Sequence, residues 1–259
     1  MKKLGLALGA GGSRGVAHIG FLKALEEADI KVDYIVGSSM GSVVGGAYAA
    51  GVSVEDMRDI VCRLRLRDLL TPSKQKGGVL GNNKMRALLT KYIGDVTFAD
   101  LKIPFHCVAV DMLQQKVVEF DEGSVVEAIV ASSSIPAVFH PLIQGERRLI
   151  DGGVLERVPA MRVKKMGADV VVAVDVLGWR TAKEKVPGPI GICLETFDIM
   201  DNYRTKSYRG RHHKHIDFWL EPDLGDMSQY SIRQVKMAYE KGYELGLEHV
   251  KAIKKALEE

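Results

Sequence analysis

One stretch of the chain has the residue types and spacing for covalent chemistry: Gly37-Ser38-Ser39-Met40-Gly41. It fits G-x-S-x-G, in which a serine rides a sharp strand-to-helix turn with its Oγ exposed. The flanks suit such an elbow. Residues 32–36 are short, β-rich and apolar enough for a buried strand, and residues 42–50 are small and helix-compatible. Glycine two places either side of Ser39 removes Cβ atoms where backbone crowds the turn. A helix starting after Ser39 points its free N–H groups and its positive end at the reaction centre. The chemistry on offer is nucleophilic: a hydroxyl that attacks a carbonyl once a base takes its proton. The pattern is short and the chain holds 27 glycines, so the surrounding elements must carry the argument.

The first of those elements is a strand over residues 4–8 that runs into Gly9-Ala10-Gly11-Gly12-Ser13-Arg14-Gly15. A helix follows over residues 16–28, with Val16, Ile19, Leu22 and Leu25 on one face and Glu26 and Glu27 on the other. Strand, glycine loop and helix together converge backbone N–H groups on an anion. Two uses compete. A dinucleotide fingerprint G-x-G-x-x-G needs glycine where Arg14 stands, although Gly9, Gly11 and Gly15 fit a longer variant. The other use is an oxyanion hole built from the amides of Gly11 and Gly12. A parallel βαβ unit places the loop and the elbow at the carboxyl edge of neighbouring strands, where α/β sites form. With a nucleophile elbow next in the chain, the oxyanion hole is the better reading.

The remaining elements alternate. Ser53 caps a helix that carries Ile60, Val61 and Leu64, and residues 66–83 form a long polar, glycine-rich loop expected to be a mobile flap. A helix follows over 84–93, a strand over 105–111, its hairpin partner over 117–120, and a helix over 124–131. Residues 131–141 are turn-rich, and residues 169–176 are a continuous apolar strand. A helix is expected over 190–200, a short strand over 218–220, and a long amphipathic helix over 231–257. This order predicts a three-layer α/β/α sandwich with a mostly parallel central sheet, in one domain spanning residues 1–259. A chain of 259 residues with 46% apolar content supports a core of that size. A net charge of +3 is too small to argue for nucleic acid.

With these blocks laid out, the chain resembles the patatin-like phospholipase family in its small bacterial form. The resemblance rests on four segments in order: the glycine loop with Val16-Ala17-His18-Ile19-Gly20, the elbow at Gly37 to Gly41, the stretch from Ala131 to Pro141, and Asp151-Gly152-Gly153. It implies a Ser–Asp dyad, with Ser39 as nucleophile and Asp151 as base. It also implies an oxyanion hole from Gly11 and Gly12 with Arg14 nearby, either binding the substrate by steering a phosphate head group or tying the loop down; the amide of Met40, the residue after the nucleophile, would join the hole. The implied activity is hydrolysis of lipid carboxyl esters, with a lipid or other ester as substrate and no cofactor. Ala10 departs from the family, where many members carry a third glycine.

Other residues divide between chemistry and structure. Ser38 and Ser132 to Ser134 read as structural, and His18 as a packed core histidine. No H-E-x-x-H and no paired Cys/His spacing exists, so no metal is expected. An α/β-hydrolase triad would instead draw on Asp111 or Asp175 with His212 or His215. A dinucleotide-binding protein that uses the glycine loop is the remaining alternative. Cys62, Cys107 and Cys193 have no paired spacing, which suits a reduced, cytoplasmic chain. Lys2 and Lys3 before an apolar run imitate a signal peptide, but Arg14 soon interrupts the run and a strand is the better reading. Two basic stretches read as solvated faces, with peripheral contact at the inner membrane face as the minority view. They are Arg63, Arg65 and Arg67 among leucines, and Arg204, Lys206, Arg209, Arg211 and Lys214.

Overall fold

A computed structural model describes residues 2–65, 68, 78–178 and 188–259. In chain order these form β1 (Leu4–Leu8), α1 (Ala17–Glu27), β2 (Tyr34–Ser38), α2 (Met40–Ala50), α3 (Val54–Arg63) and β3 (Gly78–Leu80). Then come α4 (Asn83–Ile93), β4 (Phe105–Asp111), β5 (Lys116–Phe120), α5 (Val125–Ser132), β6 (Ala137–Phe139), β7 (Leu142–Gln144) and β8 (Arg147–Asp151). The last are α6 (Ala160–Lys165), β9 (Val170–Val174), α7 (Pro189–His212), β10 (Phe218–Leu220) and α8 (Val235–Glu258). The main sheet runs β10-β9-β1-β2-β4-β8-β7, with β5 also paired to β4. β10, β9, β1, β2 and β4 are parallel, while β5 and β8 run antiparallel to β4, and β7 pairs antiparallel with β8 at one end.

The side-chain alternation of the strands builds the three layers. Leu4, Leu6 and Leu8 of β1 and Val170, Val172 and Val174 of β9 face one way, into a core shared with Ile19, Leu22 and Leu25 of α1 and with Ala238 and Leu245 of α8. Ala7, Val36, Val171 and Ala173 face the other way, against Val158 and Val163 and the partly buried Tyr208 of α7. Buried on both faces, β1 and β9 read as unbroken apolar runs. The three-layer, mostly parallel expectation therefore holds.

Some boundaries differ from the sequence expectation. The second strand is residues 34–38 rather than 32–36, because Gly37 and Ser38 join the ladder opposite Cys107 and Val108. The first helix is preceded by a 3-10 turn over Gly12–Val16. The helix expected over 190–200 continues to His212. Within 131–141, residues 137–139 form β6 and pair with β3. The expected flap over 66–83 falls largely outside the described residues, apart from its last part, where β3 begins. Ser53 caps α3 as expected, accepting the Asp56 amide at 3.1 Å.

One register detail positions everything that follows. β5 occupies one side of β4 along its length, from Cys107 opposite Phe120 to Asp111 opposite Lys116. β2 takes the other side up to Ser38 opposite Val108. From Ala109 onward, that same side is taken by β8, with Asp151 opposite Ala109. β2 runs parallel to β4 and β8 antiparallel, so their carboxyl ends meet head-on. The residues at the junction are Ser39 and Asp151.

Candidate active site

Ser39 stands between β2 and α2 with φ 52° and ψ −122°, a conformation that costs a non-glycine residue on the order of 1–3 kcal/mol. Neighbouring serines hold it there. The Ser39 amide donates to Ser132 Oγ at 2.9 Å. Its carbonyl accepts from the Ser42 hydroxyl at 2.6 Å and from the Ser42 amide at 2.8 Å. The strained corner turns Oγ off the strand, and it donates to Asp151 Oδ2 at 2.5 Å.

Asp151 is fixed from its own side. Its amide donates to the Ser134 carbonyl at 2.9 Å, and its Oδ1 accepts the Gly153 amide at 2.8 Å. Gly152 makes the approach sterically feasible, since a Cβ there would lie 2.2 Å from the Val108 carbonyl oxygen and 2.9 Å from Ser38 Oγ. Ser39 and Asp151 are only 5% and 6% exposed. Burial pushes the Asp151 carboxyl up to about 7; the bonds from Ser39 and Gly153 oppose this, and the charge of Asp201 adds to it. A carboxylate poised near neutrality and bonded to a serine hydroxyl suits a general base.

The glycine loop runs beside the elbow: a Cβ on Gly41 would stand 2.9 Å from the Gly9 carbonyl oxygen. Met40 opens α2, so its N–H has no intrahelical acceptor. Among the described residues, the amides of Met40, Gly11 and Gly12 donate to no protein group. Gly12 has φ +52°, and a Cβ on it would stand 2.2 Å from the Gln229 carbonyl oxygen. Ala10 is no rival donor: its amide is taken by the Arg157 carbonyl at 2.9 Å.

Residues 6–164 match the patatin-like phospholipase family, which is more than half of the chain. The chain belongs to that family. Among similar proteins is an uncharacterized NTE family protein of Mycobacterium bovis, 40% identical over 179 residues, or 68% of this chain and 49% of the relative. The lysophospholipase nte1 of Emericella nidulans is 33% identical over 184 residues, covering 68% of this chain and 12% of that protein. The patatin-like chain thus spans about half the length of its mycobacterial relative. Among solved structures, VipD from Legionella pneumophila has a TM-score of 0.65 at 13% identity, over 97% of this chain and 67% of that one. The type III effector protein ExoU has a TM-score of 0.55 at 13% identity, over 97% of this chain and 53% of its own. At that identity the likeness concerns the fold.

The structure of this patatin-like chain separates the expected site residues. It brings Ser39 and Asp151 into contact and leaves Gly11, Gly12 and Met40 with open amides. Arg14, expected either to bind substrate or to tie the loop down, is turned into the protein. Its guanidinium donates to the carbonyls of Val176 at 2.7 Å, Met227 at 2.9 Å and Gly225 at 3.1 Å, and the residue is 5% exposed. A buried guanidinium needs such acceptors, and here they tie the glycine loop to two neighbouring loops. His18 is fully buried, with Nε2 2.8 Å from the Gly9 carbonyl oxygen, and burial lowers its pKa to about 4. The triad candidates lie elsewhere. Asp175 pairs with Arg157 at 2.7 Å, Asp111 accepts the Leu113 amide at 3.0 Å, and the His212 ring packs on Tyr208.

Residue-level reading missed a charged layer behind the dyad. Buried Arg157 donates to Asp175 at 2.7 Å, to Asp201 at 2.8 Å and to Asn202 Oδ1 at 2.6 Å. Arg204, assigned from the sequence to a solvated basic face, instead pairs with Asp201 and donates to the carbonyls of Val154 and Gly153, the latter at 2.8 Å. α7 thereby grips the turn that carries Asp151. The signal in the sequence was slight: a lone arginine between Glu156 and Val158, just after Asp-Gly-Gly.

Proposed function

We propose that this patatin-like chain is a serine acyl hydrolase of lipid carboxyl esters, acting through a Ser39–Asp151 dyad and an acyl-enzyme, as a single domain over residues 1–259. The observation that carries the reading is the 2.5 Å bond from the Ser39 hydroxyl to the near-neutral carboxyl of Asp151. In the first half-reaction, ionised Asp151 takes the hydroxyl proton as Ser39 Oγ bonds to the ester carbonyl carbon. The negative charge that develops on the carbonyl oxygen is met by the amides of Met40 and of Gly11 or Gly12. Each such donor is worth roughly 10²–10³ in rate. As the intermediate collapses, the proton on Asp151 passes to the leaving alcohol, and the acyl group stays on Ser39. In the second half, Asp151 takes a proton from water, which attacks the acyl-enzyme. Collapse releases the fatty acid and returns the proton to Ser39.

The name of the fungal relative, a lysophospholipase, supports a lipid with a phosphate head group as substrate. The free thiols of Cys62, Cys107 and Cys193 support a reducing, cytoplasmic setting. Among the described residues, no helix is long and apolar enough to cross a membrane. The test is labelling by a fluorophosphonate probe with peptide mapping, beside release of fatty acid from a lysophospholipid. Label on Ser39, absent from Ser39→Ala, with fatty-acid release lost in both Ser39→Ala and Asp151→Asn, is the expected result. Label elsewhere, or a Ser39→Ala variant that still turns over, would overturn the reading.

A further inference from the structure

A helix on a protein surface normally turns its apolar stripe inward. α7 does the reverse. Its inward side is mostly polar: Asp201, Asn202 and Arg204 join the Arg157 layer and Thr205 is 5% exposed, with Tyr208 packed against Val158 and Val163. Its outward side carries Ile192, Phe197, Ile199, Met200 and Tyr203, exposed by 47%, 50%, 59%, 64% and 77%. Ile192, Ile199 and Tyr203 fall at helical spacing along one line, with Met200 beside them. Beyond Tyr203 the exposed charged positions are basic: Lys206, Arg209, Arg211 and then Lys214, of which Arg209 is paired with Glu221 at 2.8 Å. Among the described residues from Ile192 to His215, none of the exposed ones is acidic; Glu195, Asp198 and Asp201 are all partly turned in. The outward side is therefore apolar in its first part and cationic in its second. It backs directly onto the site, because Arg204 on the same helix holds the carbonyls of Gly153 and Val154.

We infer that α7 seats this protein on an anionic phospholipid surface. The apolar part enters the boundary between head groups and acyl chains, and the basic part lies on the phosphates. The inference rests on the lipid-ester reading above and adds where the molecule meets its substrate phase. Charge decides the occupant. A second copy bringing its own α7 would offer no exposed acid to the cations, whereas an anionic bilayer supplies both the apolar phase and the counter-charge. Seated this way, the turn that carries Asp151 lies one helix away from the lipid.

The test separates seating from hydrolysis by using vesicles of ether-linked phosphatidylglycerol and phosphatidylcholine, which hold no ester to cleave. The full chain should sediment with the mixed vesicles and not with phosphatidylcholine alone. A triple variant, Ile199→Ser with Met200→Ser and Tyr203→Ser, should lose roughly tenfold or more of this partitioning. The pair Lys206→Glu and Arg211→Glu should lose binding at low salt and flatten its salt dependence. Both should still cleave a short soluble ester. A dye on Cys193, which lies on the exposed side of α7, should shift to the blue on mixed vesicles in a Cys62→Ser background. Unchanged partitioning in both variants, or no dye shift, overturns the inference. So does a dimer that the triple variant dissolves without any vesicle binding by the parent chain. If the parent chain binds vesicles but the soluble ester is untouched, the hydrolase reading fails and the seating stands.

Discussion

Replacing Asp151 with asparagine is expected to abolish turnover and to stabilise the protein, with a gain that grows with pH. Burial lifts the carboxyl from 3.8 to about 7. At 1.36 kcal/mol per unit, fully ionising Asp151 costs the fold about 4 kcal/mol relative to the unfolded chain. The folded-state pKa is raised, so the stability linked to this group is fully present below the ordinary carboxylate range and is lost as pH rises through about 7. Asparagine carries no charge at either end of that window. Its carbonyl oxygen can still accept from Ser39 or Gly153. Linkage puts the advantage of Asp151→Asn at about 1–2 kcal/mol near pH 5 and about 4 kcal/mol near pH 8.5. For a chain of this size, the widening gap corresponds to roughly 5–10 °C in melting temperature. His18, held neutral by burial, also titrates on unfolding, but it is common to both proteins and cancels from the difference. The assay is a pair of thermal melts across pH at constant ionic strength, beside ester turnover. A variant that melts below the parent chain near pH 8.5, or a gap that does not change with pH, would refute the account of Asp151 as a buried base.

Three further outcomes are expected. The acid limb of kcat/KM should have its midpoint near pH 7 and fall about tenfold per unit below it; a rate that stays level down to about pH 5 would exclude Asp151 as the ionising base. Arg157→Ala strands Asp175 and leaves Asp201 with Arg204 alone, and should cost about 3–5 kcal/mol in urea unfolding, so a loss below about 1 kcal/mol would mean that the charged layer is not coupled to the fold. Single substitutions of His106, His140, His212, His213 and His215 should leave turnover within about tenfold, or about 1.4 kcal/mol; one folded histidine variant as inactive as Ser39→Ala would restore the triad.

The sequence shows the proposed nucleophile more clearly than the proposed base, for a physical reason. An elbow is a local object: strand, corner and helix lie within a few residues of Ser39, and each leaves a mark in residue type. Asp151 is 112 residues away, and Asp-Gly-Gly by itself describes any tight turn. What brings it to Ser39 is the register of β8 on β4, and register depends on partners. The buried state of Arg14 and Arg157 is hidden for the same reason, since an arginine goes inside only when distant acceptors receive it, here carbonyls on two loops and two aspartates. The layers were legible because β1 and β9 are apolar at every position, which only a doubly covered sheet explains. The outward character of α7 was not, because its periodicity alone does not say which side meets the protein.

The head-on meeting of β2 and β8 also acts as an interlock. β4 serves as a ruler on which two strands are measured, although none of its side chains takes part in the proposed chemistry. If β8 slips by one residue, Asp151 moves about 3.3 Å and turns to the opposite face of the sheet. A chain with β2 and its elbow in place but β8 unpaired therefore has a serine and no base. On the proposed mechanism, the dyad is complete only once β8 has paired with β4.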